Sequence, residues 1–273
     1  MSSTNGTGGT GGAGGTGQTH GGVWEHTTQG PARGRLRVLQ LYPRDMNIYG
    51  DWGNTLVLVR RAQWQGYDVE LLSYDPGDEL PRDVHLVVGG GGQDSGQSRI
   101  KDDLSSRAGE LRAWAADGVP MLVICGLYQL FGHRFATGTG SVIPGIGVID
   151  AETVAGDGRL IGNITLDAGA LGQVVGYENH SGLTTLGPGA KPFGRVLSGN
   201  GNNGTDSTEG ARVHHLIGTY LHGSLLPKNP VVADWLLARA VEHAGGAWDP
   251  APLEDPVDAW ADKARAVAMS RPR

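Results

Sequence analysis

The chain contains one cysteine, Cys125, and its neighbours make it a candidate nucleophile. Pro120-Met-Leu-Val-Ile-Cys125 reads as a short buried strand, Gly126 follows, and an apolar-periodic stretch able to form a helix comes next. A residue at such a strand-to-helix turn is forced into a tight bend. Its side chain stands beyond the strand's carboxyl end, with the free N–H groups of a helix start behind it. Those groups favour thiolate over thiol, and thiolate is the attacking form. A buried, inert thiol is the alternative reading of the same pattern. Two further strand ends carry chemistry: His85-Leu-Val-Val88 runs into Gly89–Gly92, and His214–Leu221 runs into His222-Gly223. If the three strands are neighbours, His222 can take the proton of Cys125 and return it to a leaving amine. The N–H groups of Gly126 or Leu127, and of the Gly89–Gly92 turn, can then hold a developing oxyanion.

The elements that must position these residues alternate. Leu36–Tyr42 reads as a strand, Asn54–Gln65 as an amphipathic helix ended by Gly66, and Asp68–Tyr74 as the next strand. After the 85–88 strand, Asp103–Ala116 has helical spacing and stops at Gly118. This alternation predicts right-handed crossovers and an α/β fold with a mostly parallel central sheet, whose ligands lie outside the strands' carboxyl ends. In the second half, Val142–Val154, Arg159–Leu166 and Gln173–His180 are short β-prone runs that predict hairpins or a mixed sheet. Residues 200–210 read as a polar surface loop. Asn229–Glu242 is a helix with Pro230 in its first turn, and a last, Ala-rich helix lies near Val257–Met269. Residues 1 to about 34 are rich in Gly and Thr and predict a flexible tail. The expected organisation is therefore a 1–34 tail, a 35–245 domain and a 246–273 helical extension.

Composition excludes several other classes. The 273 residues, 38% of them hydrophobic, are enough for a substantial core, and the net charge of −6 offers no footprint for nucleic acid or an anionic membrane surface. One cysteine cannot form an internal disulfide, which suits a reducing compartment. No run approaches the roughly 20 apolar residues of a membrane span, and the first residues lack a secretory pattern. The expected location is the cytoplasm, without embedding in a membrane. Gly89-Gly-Gly-Gly-Gln-Asp94 lacks the G-x-G-x-x-G register of a dinucleotide loop, and no helix is expected to open directly after it. His180, His214 and His215 lack tight metal-ligand spacing, so no metal is assigned.

Four blocks carry a family resemblance: Gly89–Asp94, Ile124-Cys-Gly-Leu-Tyr-Gln129, Gly176-Tyr-Glu-Asn-His-Ser-Gly182 and Gly218-Thr-Tyr-Leu-His-Gly223. Together they resemble the class I glutamine amidotransferases, in the cobyric-acid-synthase-like branch. Tyr49-Gly-Asp-Trp-Gly-Asn54, with Gln97 after the glycine run, is similar to the glutaminase subunits of lipid II isoglutaminyl synthases. The resemblance spans about Leu36 to Glu242 and implies a flavodoxin-like three-layer fold with added hairpins. It implies Cys125 as the nucleophile that forms a γ-glutamyl thioester from L-glutamine, and His222 as the general acid/base. It further implies Arg159 as the residue that holds the substrate, with Gly91 and Gly92 at the oxyanion turn, beside the Gly126 N–H already read from the residues. A guanidinium suits the α-carboxylate because it donates two parallel hydrogen bonds.

Ser224 stands where many class I members carry a Glu that orients the imidazole. Glu178 or a backbone carbonyl is a candidate substitute, but the favoured reading of Glu178-Asn179-His180 is a polar strand end that lines and shapes the cleft without taking part in proton transfer. No G-x-x-x-x-G-K-[ST] loop is present, so no cofactor is expected in this chain. By resemblance, ATP and Mg belong to a Mur-ligase-like partner subunit in a heterodimer, which amidates D-glutamate of lipid II to D-isoglutamine. A corrinoid carboxylate as acceptor, a non-catalytic scaffold and a simple cysteine hydrolase are the rival readings.

Overall fold

The computed structural model describes residues 22–28, 30–223, 225–253 and 256–271. Along the chain run β1 (Val23–His26), β2 (Gly34–Leu41), α1 (Trp52–Trp64), β3 (Tyr67–Tyr74), β4 (Leu86–Gly89), α2 (Asp94–Ser106), α3 (Ala108–Ala116), β5 (Met121–Ile124) and α4 (Gly126–Phe131). There follow β6 (Arg134–Ala136), β7 (Val142–Pro144), β8 (Ala151–Asp167), β9 (Gln173–Leu186), β10 (Gly194–Ser198), β11 (Thr208–Glu209), β12 (Ala211–Val213) and β13 (Leu216–Thr219). Helices α5 (Leu225–Lys228), α6 (Pro230–His243) and α7 (Val257–Ser270) close the chain.

The main sheet has seven strands in the order β1-β3-β2-β4-β5-β13-β12. From β3 to β13 every pairing is parallel, and only the edge strands β1 and β12 run antiparallel. The central strands are apolar throughout: β4 and β5 are buried at every position. Burial on both faces is what a parallel sheet covered by crossover helices requires. The predicted α/β architecture is therefore present, and its consequence for function is positional. Strands β4, β5 and β13 are adjacent, with Gly89 opposite Val123 and Thr219 opposite Ile124, so their three carboxyl ends open onto one crevice.

A second, six-stranded sheet is built around the long β8–β9 hairpin. It reaches the first where Glu178 of β9 bridges Leu221 and the Tyr177 carbonyl accepts the His222 N–H at 3.1 Å. Hairpins were expected here, but as three shorter runs. The register shift between Ala155 and Leu160, across Gly156-Asp157-Gly158-Arg159, lets one long strand read as two.

Four local expectations need correction. Within the anticipated 1–34 tail, Val23–His26 pairs antiparallel with β3; two apolar β-formers suffice to extend that edge. Residues 1–21 and 29 of that tail lie outside the described residues. A helix does open after the glycine run, at Asp94; its first turn hides it, because of the four buried residues Gly96, Gln97, Ile100 and Leu104 only the last two are apolar. It is separate from α3, the chain turning at Arg107. Finally, the 200–210 loop is not all surface: Asn202 and Glu209 are fully buried. Burial pushes the Glu209 carboxyl up to about 8, although it accepts the Tyr220 N–H at 2.7 Å and the Thr219 hydroxyl at 3.1 Å.

The last helix is docked rather than detached. Arg61 of α1, buried, donates to Asp234 of α6 and to Asp258 of α7, each at 2.6 Å, which clips three helices together. No helix among the described residues is long and apolar enough to cross a membrane.

Candidate active site

Cys125 sits between β5 and α4 with φ 50° and ψ −104°, left-handed backbone that L-residues rarely adopt. Such strain costs on the order of 1–3 kcal/mol and persists only where the surroundings enforce it. Here they do: β5 is paired on both sides, and the Cys125 N–H donates to the Thr219 carbonyl at 2.8 Å. The bend lifts the thiol off the sheet and sets the first N–H groups of α4 beneath it. Cys125 is 6% exposed and lines a polar cavity of about 340 Å³, so it is buried but not sealed in apolar packing.

His222 follows β13 and comes to the same place. Glycine at position 91 is what lets the groups converge: a Cβ there would stand 2.8 Å from His222 Cε1, 3.0 Å from Cys125 Cβ and 3.3 Å from Asp51 Oδ2. Imidazole Nδ1 lies 3.3 Å from both oxygens of Asp51, and both side chains are 1% exposed. Nε2, with no hydrogen bond of ordinary geometry, is left for the thiol and for a substrate. Burial pulls the imidazolium down, but negative charge on Cys125 and the Asp51 carboxylate outweigh it and hold the ring protonated up to about 10. The thiol, the imidazole and a carboxylate thus stand together at one end of the sheet.

Asp51 is the residue that the sequence reading missed. It occupies the N-cap position of α1, where an Asp ordinarily binds the helix's own N–H groups, yet it makes no such bond. Its carboxylate accepts the Gly91 N–H at 2.6 Å and faces His222 instead. Two glycines permit the approach: a Cβ on Gly223 would lie 1.9 Å from the Gly50 carbonyl oxygen, and one on Gly53 would lie 3.1 Å from that of Gly223. The motif Tyr49–Asn54 thus carries both the carboxylate and the room it needs. Glu178, one of the candidates for orienting the imidazole, has its carboxylate on the 200–201 turn, accepting from the Asn200 backbone and side chain and from the Gly201 N–H at 2.8–2.9 Å. Ser224 lies outside the described residues.

Arg159 lies in the irregular stretch of β8 and lines the same cavity. Its Nε and Nη2 donate to Asn179 Oδ1 at 2.9 and 2.7 Å, and Nη2 also reaches the Asn179 carbonyl and the Tyr49 hydroxyl. Gly92 lines the cavity beside Cys125, and Gly126 packs against it: a Cβ on Gly126 would stand 3.0 Å from Gly92 N. Gly91 differs from expectation, because its N–H is spent on Asp51.

Behind the site runs a buried polar chain. Gln97 Nε2 donates to Gln129 Oε1 at 2.7 Å, Gln129 Nε2 to the Tyr220 hydroxyl at 3.1 Å, and Tyr220 meets Thr184 at 2.6 Å. His180 stacks on Tyr220, rings 3.5 Å apart and 6° from parallel, and burial pulls it down to about 4, so it walls the cleft as a neutral ring. His215 bonds the Gly118 carbonyl just before β5 and β13 begin, at the end of the sheet away from Cys125.

A parallel sheet that gathers a strained cysteine, a histidine and a glycine turn at its carboxyl end defines a class of protein. Comparison with known families agrees: residues 37–230 match the CobB/CobQ-like glutamine amidotransferase domain, and the chain belongs to that family. Two curated relatives are named lipid II isoglutaminyl synthase (glutamine-hydrolyzing) subunit GatD. The one from Staphylococcus aureus is 35% identical over 221 residues, covering 81% of this chain and 90% of the relative. That from Streptococcus pneumoniae is 35% identical over 217 residues, covering 78% and 83%. A cobyric acid synthase from Sphingopyxis alaskensis is 31% identical over 180 residues, but the match spans only 35% of its length. Among solved structures, a glutamine amidotransferase shares the fold at TM-score 0.50 and 16% identity, covering 76% of this chain and 98% of that one.

Proposed function

We propose that this glutamine amidotransferase is the glutaminase subunit of a lipid II isoglutaminyl synthase. It would hydrolyse L-glutamine and pass ammonia to an ATP-using, Mur-ligase-like partner that amidates D-glutamate of the lipid II stem peptide. The acceptor is supported by the two GatD-named relatives, which this chain matches across most of their length. The chemistry rests on one observation: the bent Cys125 and a His222 held by Asp51 meet in a polar cavity that also contains Arg159.

In this reading Arg159 receives the α-carboxylate of glutamine. The Cys125 thiolate attacks the side-chain amide carbon, and the carbonyl oxygen gains the negative charge. Gly92 and the first N–H groups of α4, at Gly126 and Leu127, stabilise that oxyanion. His222 gives its Nε2 proton to the amide nitrogen, the C–N bond breaks, and ammonia leaves behind a γ-glutamyl thioester. The now neutral imidazole removes a proton from water, which attacks the thioester and frees glutamate and the thiolate. Asp51 keeps Nδ1–H engaged throughout. ATP and Mg fall to the partner, and the reaction is assigned to the cytoplasm.

The test is reconstitution with the partner subunit. Cys125→Ser should abolish glutamine-driven amidation of lipid II while leaving amidation from high ammonium intact. Loss of both activities would contradict this division of labour, and amidation of a corrinoid acid in place of lipid II would reassign the acceptor.

A further inference from the structure

Tyr49 occupies an unusual position for an aromatic residue. Its backbone is left-handed, φ 53°, followed by Gly50 at φ 77°, in the same turn that delivers Asp51. A non-glycine residue held there costs free energy, and such outliers cluster where a side chain must be aimed. The ring is half-exposed yet fixed, its edge-to-face contact with His222 spanning 4.8 Å between centroids at 74°. The hydroxyl accepts a hydrogen bond from Arg159 Nη2 at 3.4 Å, and both residues line the cavity that contains Cys125. Among the described residues that hydroxyl donates to nothing. Its own proton is therefore directed by the Arg159 bond and left for an incoming acceptor. A tyrosine O–H and a guanidinium converging on one rim form a paired donor set for a carboxylate.

We propose that Tyr49 is a specificity-determining residue, its hydroxyl donating to the substrate α-carboxylate beside Arg159. The inference deepens the glutaminase reading and depends on it. Tyr49→Phe keeps the ring on His222 and removes only the donor. Glutamine hydrolysis by the full chain is to be compared with hydrolysis of 4-aminobutanamide, the same amide without the α-carboxylate, using its Ki where turnover is too slow to follow. A hydrogen bond to a charged group contributes about 1.5 kcal/mol or more. Tyr49→Phe should therefore raise KM for glutamine about tenfold with kcat within about twofold. The 4-aminobutanamide constants should stay put, so the preference for glutamine shrinks about tenfold. Equal losses for both amides, or no change in either, would overturn the role of Tyr49. A wild-type chain that hydrolyses neither amide, with or without its partner, would instead sink the glutaminase reading on which it rests.

Discussion

Asp51 shows how much a single residue's direction matters. As a helix N-cap it would contribute on the order of 1 kcal/mol of stability. Turned away from the helix, it supplies the charge that helps keep His222 protonated against its own burial. The sign of its removal follows. A group whose folded pKa is raised keeps its proton until pH passes that value, so the wild-type pair should lose activity only toward pH 10. Asp51→Asn removes one of the two opposing charges, the imidazolium pKa falls, and the alkaline limb of the kcat/KM profile should move to lower pH. The rate near neutrality should drop on the order of 10²-fold or more, since the neutral ring also loses its fixed orientation. A pH–rate profile checks both, and an unmoved alkaline limb would mean that Asp51 does not act on His222. In sequence, Asp51 stands 171 residues from His222 and just before a helix, where its type already has an ordinary explanation. Cys125 was legible because its strand, bend and helix are contiguous; Asp51 was not, because its partner is remote.

The elements were legible where burial makes a repeating pattern and obscure where it does not. Strands β2 to β5 and helix α6 follow from apolar runs and periodicity, and with them the placement of three strand ends side by side. Helix α2 was hidden because its inward face includes Gly96 and Gln97, the latter reaching Gln129 and the Gly126 carbonyl. The corner at 49–53 is a second case, its meaning lying in close approach rather than in periodicity. Gly223 tests it. An added methyl there would meet the Gly50 carbonyl at 1.9 Å and Asp51 N at 2.6 Å, both backbone atoms that cannot rotate aside. Gly223→Ala should displace the corner, costing about 1–3 kcal/mol of stability and a larger share of activity. Thermal melts beside kinetics measure the two, and a fully active Gly223→Ala protein would show that the close packing does not position Asp51.

At the scale of the whole molecule, the site exists because two sheets meet. The parallel sheet presents Cys125 and His222; the β8–β9 hairpin brings Arg159 and the neutral wall of His180 over them, joined at the Glu178–Leu221 bridge. Arg61 joins the helices α1, α6 and α7 that pack outside the sheet. Family membership accounts for the fold and the class of chemistry, whereas the acceptor depends on the partner. The claim that most of this rests on is that Cys125 is the nucleophile of a glutamine pocket. It is tested most directly by treating the full chain with a glutamine-like diazoketone and locating the adduct by peptide mass spectrometry. One adduct is expected, on Cys125, formed more slowly when glutamine is present. An unmodified Cys125, or labelling that glutamine leaves unchanged, would contradict it.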